Sequence, residues 1–417
     1  MKFSICMCAG ILAVIVANAT WISAAQAKAA TPPAEVQKLA NIVNRSLQAN
    51  PEILAAQSAI DAARAQLDGA TLPLNNPELE AEVERTDVNT YQLGISQTID
   101  WHDKRDALEQ VAQAGLQAAR QQLAALRLTK SIELLDAVGR ISIQGTISRF
   151  SQHRTEILAH FTRLAKQRHA AGDIPQAELE LARLSLAEAT IQQARNQAEL
   201  IQANSDFFSL SGQMLAEEIH LPESLPINLA AETDLEAIAR QHPEVQAALL
   251  TAQIAKRKIN AADRERKADP TFGVSAGRED NGNLLALQFS IPLQIRNNYR
   301  SNVDIARAEA LQAEKLAQQT YWNLRAQLQS AKQRHKVIST AWSQWLSQGR
   351  TSLQQHIKLL ETLWQSGEIS TTDYLLQVQQ TLDTQIAGVE LHGDLWSTWL
   401  EWMNASASLD AWLNNNI

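Results

Sequence analysis

The sequence predicts a mainly α fold with a small β part, built from long antiparallel helical hairpins and four strands. Three observations predict it. Ala/Leu/Gln-rich stretches with helical spacing run for roughly 66 residues, about 100 Å at about 1.5 Å per residue. Four short segments alternate strictly between apolar and polar residues. And the whole pattern is written twice.

The duplication shows in paired markers. Asn50-Pro51-Glu52-Ile53 is matched by His242-Pro243-Glu244-Val245, 192 residues later. Asn76-Pro77 is matched by Asp269-Pro270, and Ala171-Gly172-Asp173-Ile174 by Ser366-Gly367-Glu368-Ile369. The offsets are 193 and 195 residues, in the same order along the chain. They divide it into a first repeat, 28–212, a connector, 213–240, and a second repeat, 241–417. Each repeat reads as a helix, a strand pair (about 78–99 and 271–292) and a long helical hairpin turning near 172 or 367.

Residues 1–27 read as a secretory signal. Lys2 is followed by an apolar run from Ile5 to about Val16 and by Ala25-Gln26-Ala27, an A-x-A cleavage pattern. Cys6 and Cys8 are the only cysteines, and both fall within the signal. The expected mature chain therefore has no disulfide and no Cys-based metal or redox site. No later stretch is apolar for the length of a spanning helix, so any entry into a membrane must be through strands.

The strands carry the functional argument. Leu79, Ala81 and Val83 form one face of the first, and Glu78, Glu80, Glu82 and Glu84 the other. Tyr91, Leu93 and Ile95, then Phe272, Val274 and Ala276, then Leu285, Leu287, Phe289 and Ile291 repeat the alternation. Apolar-out, polar-in strands suit an outer-membrane barrel, although a soluble half-buried hairpin shows the same period. Four strands cannot close a barrel, because the smallest have about eight. Three chains contributing four each give twelve. Trp101, just past the second strand, suits a membrane interface or simple packing.

Other chemistries find little footing. Net charge is −8 with no basic tract, which sets nucleic acid aside. There is no phosphate-cradling glycine loop and no nucleophile elbow, so no enzyme is expected and no cofactor. Nine histidines include His153, His160 and His169 on one long helix, but no motif at metal-ligand spacing accompanies them. Folding the second hairpin about residue 368 brings Trp342 level with Trp396 and Trp322 level with Trp412, which predicts packing pairs between antiparallel helices.

A signal, then helix, strand pair and long hairpin written twice, resembles the TolC family of outer-membrane efflux proteins over nearly the whole mature chain. The most specific residues are the turns Gly172-Asp173-Ile174-Pro175 and Gly367-Glu368-Ile369-Ser370, and the segment Trp101-His102-Asp103-Lys104-Arg105. The resemblance implies a homotrimer with a twelve-stranded barrel among outer-membrane lipids, continued through the periplasm by an α-helical tunnel (an α-barrel). It implies that Gly172, Asp173, Ile174, Gly367, Glu368 and Ile369 form tips meeting a periplasmic adaptor (membrane fusion) protein, and through it an inner-membrane RND-type pump. Glu178 and Asp373 match the acids of the family's periplasmic constriction. The second acid often found one helical step later is here Leu181 or Leu376, which puts a doubled acidic ring in doubt. First-turn acids also stabilise a helix N-terminus by themselves.

Within the family, chain length and the lack of a lipobox resemble the heavy-metal (cobalt–zinc–cadmium) efflux branch. Twelve glutamates from three first strands would line the barrel and attract cations, or simply hydrate the lumen. The competing expectations are a duct for organic toxic compounds and a soluble periplasmic coiled-coil adaptor or scaffold.

Overall fold

A computed structural model describes residues 34–225, 227 and 234–414. The signal expected at 1–27 lies outside them. The element order is α1 (Ala34–Ala49), α2 (Pro51–Ala70), β1 (Glu78–Arg85), β2 (Asn89–Thr98), α3 (Lys104–Ala171) and α4 (Gln176–Ser211). There follow α5 (Leu235–Gln241), α6 (Pro243–Glu265), β3 (Thr271–Glu279), β4 (Gly282–Ser290), α7 (Arg300–Gln344), a π turn (Trp345–Gly349), α8 (Arg350–Gln365), α9 (Thr371–Ser406) and α10 (Leu409–Leu413).

Local chemistry starts these elements where the punctuation lies. Asn50 caps α2 by accepting from the Glu52 and Ile53 N–H groups, and Pro51 begins the helix with its φ already set. His242 and Pro243 repeat the arrangement at α6. Asp100 accepts the backbone N–H groups of Lys104 and Arg105 at 2.8 and 2.9 Å, which anchors the start of α3. Burial pushes its carboxyl up, but those hydrogen bonds outweigh burial and hold it below the usual range.

The strands form one antiparallel meander in the order β1-β2-β3-β4. The central β2–β3 pairing joins residues about 180 apart, Gly94 opposite Ser275 and Ile95 opposite Val274. The two halves of the chain are thus stitched into one sheet, and β1 and β4 are its two unpaired edges. The chain swings from sheet to long helix at Asp103 (φ 51°) and Tyr299 (φ 52°), both left-handed. For a tyrosine this conformation is strained, and its use at matching places in both halves marks a sharp redirection of the backbone.

α3 has 68 residues, about 100 Å of helix. Its first part packs against α2 and α6, and its later part pairs with α4 and α9. The second long arm, α7–π turn–α8, folds back along α9. A central core gathers Leu39, Leu134, Leu135, Leu328, Leu395 and Trp399 from the helices around the middle of the molecule. The connector is strapped onto this core. Ser142 donates to the Ile219 carbonyl at 2.7 Å, Trp342 Nε1 to that of Glu223 at 2.9 Å, and His392 Nε2 to that of Pro222 at 3.0 Å.

The tryptophan pairs predicted between the arms do not form. Trp342 stacks on His392, with ring centroids 4.7 Å apart, and Trp322 is exposed. Trp396 instead stacks on Trp399 (5.2 Å), which meets Trp412 edge-on (4.5 Å). Levelling residues along a hairpin ignores rotation about each helix axis, and here rotation turns Trp396 towards α3. Its Nε1 donates to the Leu135 carbonyl at 3.0 Å, and its ring occupies the space that a Cβ on Gly139 would need.

Candidate functional site

Two surfaces carry the candidate residues, one at each end of the molecule. The first is the sheet. Leu79, Val83, Tyr91, Leu93, Ile95, Leu285, Leu287 and Phe289 share one face and are all exposed, Leu79 at 81% and Leu287 at 85%. The register keeps them together: Val83 opposite Tyr91, Ala276 opposite Leu285, Val274 opposite Leu287. An apolar face of this extent exposed on a protomer marks a surface that something else covers.

The opposite face bears Glu78, Glu80, Glu82 and Glu84, all exposed, with Gln92, Ser96, Ser275 and Gln288 beside them. Ser96 Oγ donates to Glu80 at 2.7 Å; Gln92 Nε2 donates to Ser275 Oγ. This face is also crowded. A Cβ on Gly94 would lie 2.8 Å from Ser275 Cβ, and one on Gly277 would lie 2.8 Å from Gln92 Cα and overlap the Tyr91 carbonyl. Small residues on the acidic face and bulky ones on the apolar face suit a sheet that curls with its acids inward. Trp101 is exposed at 64%, beyond the end of β2.

The second surface is the pair of hairpin turns. Gly172 (φ 85°) and Gly367 (φ 78°) close α3 and α8 in the left-handed conformation that glycine adopts freely. Asp173 N–H returns to the Arg168 carbonyl at 2.9 Å, and Glu368 N–H to that of Leu363 at 2.9 Å, the hydrogen bonds of a Schellman stop. The six tip residues then separate by role. Gly172, Asp173, Gly367 and Glu368 are exposed, whereas Ile174 is buried in the tip core and Ile369 packs partly against it.

Residues that sequence reading passed over build that tip core. Phe161 lies 4.5 Å from Trp364 and 4.7 Å from Tyr374, centroid to centroid. Arg168 sits 5.0 Å over the Trp364 ring and donates to the Trp364 carbonyl at 3.3 Å. Burial pushes the Tyr374 hydroxyl up to about 12. Higher up, Arg154 donates to Asp383 at 2.7 Å. The available signal was spacing. Arg154, Phe161 and Arg168 are seven apart on α3, with Leu158 and Ala165 between them, a coiled-coil seam that joins the first hairpin to the second.

Glu178 and Asp373 lie in the first turns of α4 and α9, next to Leu179 and Tyr374 of that core. Asp373 is part of a reciprocal cap, its N–H donating to Ser370 Oγ at 3.1 Å while Ser370 Oγ donates to its carboxylate at 2.7 Å. Glu178 is partly exposed and has no ion-pair partner among the described residues. Leu376 is exposed and Leu181 packs partly against the core. His153 and His160 take separate neighbours, Glu156 at 3.8 Å and Glu361 at 3.9 Å. Among the described residues no three His, Cys, Asp or Glu side chains gather as a metal site would require.

No family model matches the chain, and no curated protein does. Solved structures do. The CmeC outer membrane channel of Campylobacter jejuni is 15% identical, with a TM-score of 0.75 over 90% of this chain and 89% of that one. The open-state MtrE outer membrane channel of Neisseria gonorrhoeae is 15% identical, with a TM-score of 0.72 over 89% and 88%. CusC, described as forming a transmembrane channel, is 16% identical, with a TM-score of 0.70 over 88% and 91%. The shared property is the fold: long helical hairpins and a small four-stranded sheet in one chain.

Proposed function

We propose that this chain is a subunit of a TolC-type outer-membrane efflux duct, three copies of which close a twelve-stranded barrel in the membrane and an α-helical tunnel in the periplasm. The observation that carries the reading is the sheet: one exposed apolar face, one acidic face and two unpaired edges. Lipid covers the first, water fills the space behind the second, and β1 of one copy pairs with β4 of the next. The likeness to outer-membrane channels supports the same reading. In this proposal the chain is a duplicated unit, 28–212 and 241–417 about a connector at 213–240, behind a signal removed before Lys28. It is a conduit, not an enzyme. Trp101 lies at the membrane–water boundary.

The test is detergent extraction from isolated outer membranes, followed by mass measurement of the intact oligomer and conductance in a planar bilayer. A trimer that needs detergent and conducts supports the duct. A water-soluble protein without conductance supports the periplasmic adaptor or scaffold instead.

The remaining assignments belong to the same proposal. Asp173 and Glu368, exposed beside their turn glycines, present the tip to a periplasmic adaptor, which links the duct to an inner-membrane pump of the RND type. Ile174 and Ile369 support that surface from behind. Glu178 and Asp373 line the periplasmic constriction, with exposed Leu376 one step further in. The rows Glu78 to Glu84 favour cations, and the cargo is heavy-metal cations. If reversal potentials show no cation preference and Glu80→Gln with Glu82→Gln changes nothing, the acid rows have no such role. Growth of a deletion strain on zinc, cobalt and cadmium, beside dyes and detergents, tests the cargo. Sensitivity to organic compounds alone would keep the duct and discard the metals.

A further inference from the structure

The joint between sheet and long helix is written twice in this chain, but only one of the two is complete. At the complete one, β2 runs into α3 beside the linker that leads from α6 into β3. The Ile99 N–H donates to the Pro270 carbonyl at 2.9 Å, and the Trp101 N–H to Asp269 Oδ1 at 3.3 Å. Asp269 Oδ2 takes the Lys104 ammonium at 2.9 Å in a nearly buried ion pair. These contacts hold strand, linker and helix in one register.

The duplication supplies a counterpart for each of those groups, on opposite edges of the sheet. Asn76-Pro77 answers Asp269-Pro270 and leads into β1. Arg300 answers Lys104, since each begins a long helix directly after a left-handed residue. Ile291 follows the end of β4 as Ile99 follows the end of β2. Yet Asn76, Pro77, Ile291 and Arg300 are all exposed, and the Asn76 and Arg300 side chains have no hydrogen-bond or ion-pair partner among the described residues. The edges that carry them, β1 and β4, are three strand spacings apart, about 14 Å at about 4.8 Å each. Within one chain the second joint stays open.

We infer that another copy of this chain completes the second joint, in the register that the first joint sets. Thr98 ends β2 and lies opposite Thr271, the first residue of β3. In the same way Ser290 ends β4 and Glu78 begins β1. The equivalent pairing puts Ser290 opposite Glu78 of the next copy, and so Leu287 opposite its Ala81 and Leu285 opposite its Val83. On the other face Gln288 meets Glu80. Both apolar rows then stay on the side that lipid covers. A slip of one residue would turn the glutamates to that side, and a slip of two would part the linkers. At the joint, Ile291 N–H donates to the Pro77 carbonyl of the next copy, and Arg300 to its Asn76 amide oxygen. The inference rests on the duct reading and adds a register and an asymmetry to it. Joints inside a copy hold an ion pair, whereas joints between copies hold an arginine on a neutral amide. The seams between copies are the weaker ones.

The experiment is disulfide capture between copies of the full-length chain in isolated outer membranes. Cys6 and Cys8 are its only cysteines, and both leave with the signal in the reading above; the parent chain controls for them. Ala81→Cys with Leu287→Cys is oxidised and run on a denaturing gel without reductant. Ala81→Cys with Leu285→Cys is the slipped control, in which the facing pair lies beyond the reach of a disulfide. These positions lie on the sheet and outside the helical cores, so misfolding does not confuse the result. The expected outcome is a cross-linked trimer from the first pair and little or none from the second. Cross-linking through position 285 instead, or through neither in a trimer that still conducts, overturns the register and leaves the duct standing. A monomer that neither cross-links nor conducts overturns both. Asn76→Asp reads the joint itself, because it installs the missing carboxylate. It should raise the temperature at which the trimer dissociates in detergent, and high salt or Arg300→Gln in the same chain should remove the gain. A gain that survives Arg300→Gln overturns the contact between Arg300 and Asn76.

Discussion

Asn50 and His242 hold equivalent places in the two halves of the chain and do the same two jobs with different chemistry. Each caps the helix that its following proline begins, and each donates to a carbonyl in the last turn of a distant helix. Asn50 Nδ2 reaches Leu210 at the end of α4 (3.4 Å); His242 Nε2 reaches Asn404 at the end of α9 (3.0 Å). The amide is indifferent to pH. The imidazole is not.

His242 Nδ1 accepts the Glu244 N–H at 3.3 Å while Nε2 donates, so the buried ring must be neutral. Burial pushes its basicity down, and the Asn404 carbonyl and the Glu244 carboxylate only partly offset this. The unfolded chain therefore takes up this proton first as pH falls. The contribution to stability is full above the unfolded value of about 6.5 and is lost as acid brings pH towards the depressed folded value. His242→Asn should flatten part of the pH dependence of thermal unfolding below about 6.5, with stability near neutral pH within about 1 kcal/mol of the parent. His335, buried and also pushed down by burial, contributes in the same direction. An unchanged profile would show that His242 is not the group responsible.

The seam between the hairpins predicts an order of effects. Arg154 is 8% exposed and relies on Asp383, and its Nε has no partner. Asp383→Ala strands a buried cation and should cost about 1.5–3 kcal/mol. Arg154→Met removes the charge with the pair and should cost less. Urea unfolding of both variants tests the order, and the reverse order would show that the pair contributes through packing of the arginine stem.

Trp364 is the centre of the tip. It meets Phe161 at a tilt of 51°, stacks on Tyr374, receives Arg168, and donates to Thr371 at 3.2 Å. Trp364→Ala should cost about 3–5 kcal/mol and expose the chain near Gly172 to proteolysis, whereas Trp364→Phe should cost less. Cleavage that is unchanged in Trp364→Ala would mean that the tip holds together without this ring.

Two glycines separate sheet curvature from helix propensity. Gly277→Ala must push β2 from β3 at the Tyr91 and Gln92 backbone and should sharply reduce the yield of folded oligomer. Gly69→Ala in α2 meets nothing within 4 Å and should raise stability by up to about 1 kcal/mol. Heat-resistant oligomer on gels and thermal midpoints read the two.

Much of this architecture was legible because its signals are local. Alternation from Glu78 to Glu84 is enough for a strand with one acidic face, since successive side chains point to opposite sides. Gly172 and Gly367 are enough for helix stops, since the left-handed conformation there favours glycine. The tip residues and the acids Glu178 and Asp373 were named instead through the family resemblance that those turns carry. Reading failed where rotation about a helix axis mattered. Trp342 levels with Trp396 on paper but turns to His392, and the tip core of Phe161, Trp364 and Tyr374 draws on three helices whose facing sides no single segment states.

The sequence by itself determined the repeated order of helix, strand pair and hairpin, and the division of each strand into an apolar and a polar face, acidic in β1, because backbone propensity and periodicity act over a few residues. Only the tertiary structure decided that β2 pairs with β3 across some 180 residues, that Arg154 finds Asp383, and that Trp345 enters a cleft made by Gly388. Those outcomes depend on which surfaces meet, and that follows from burying the whole chain at once rather than from any stretch of it.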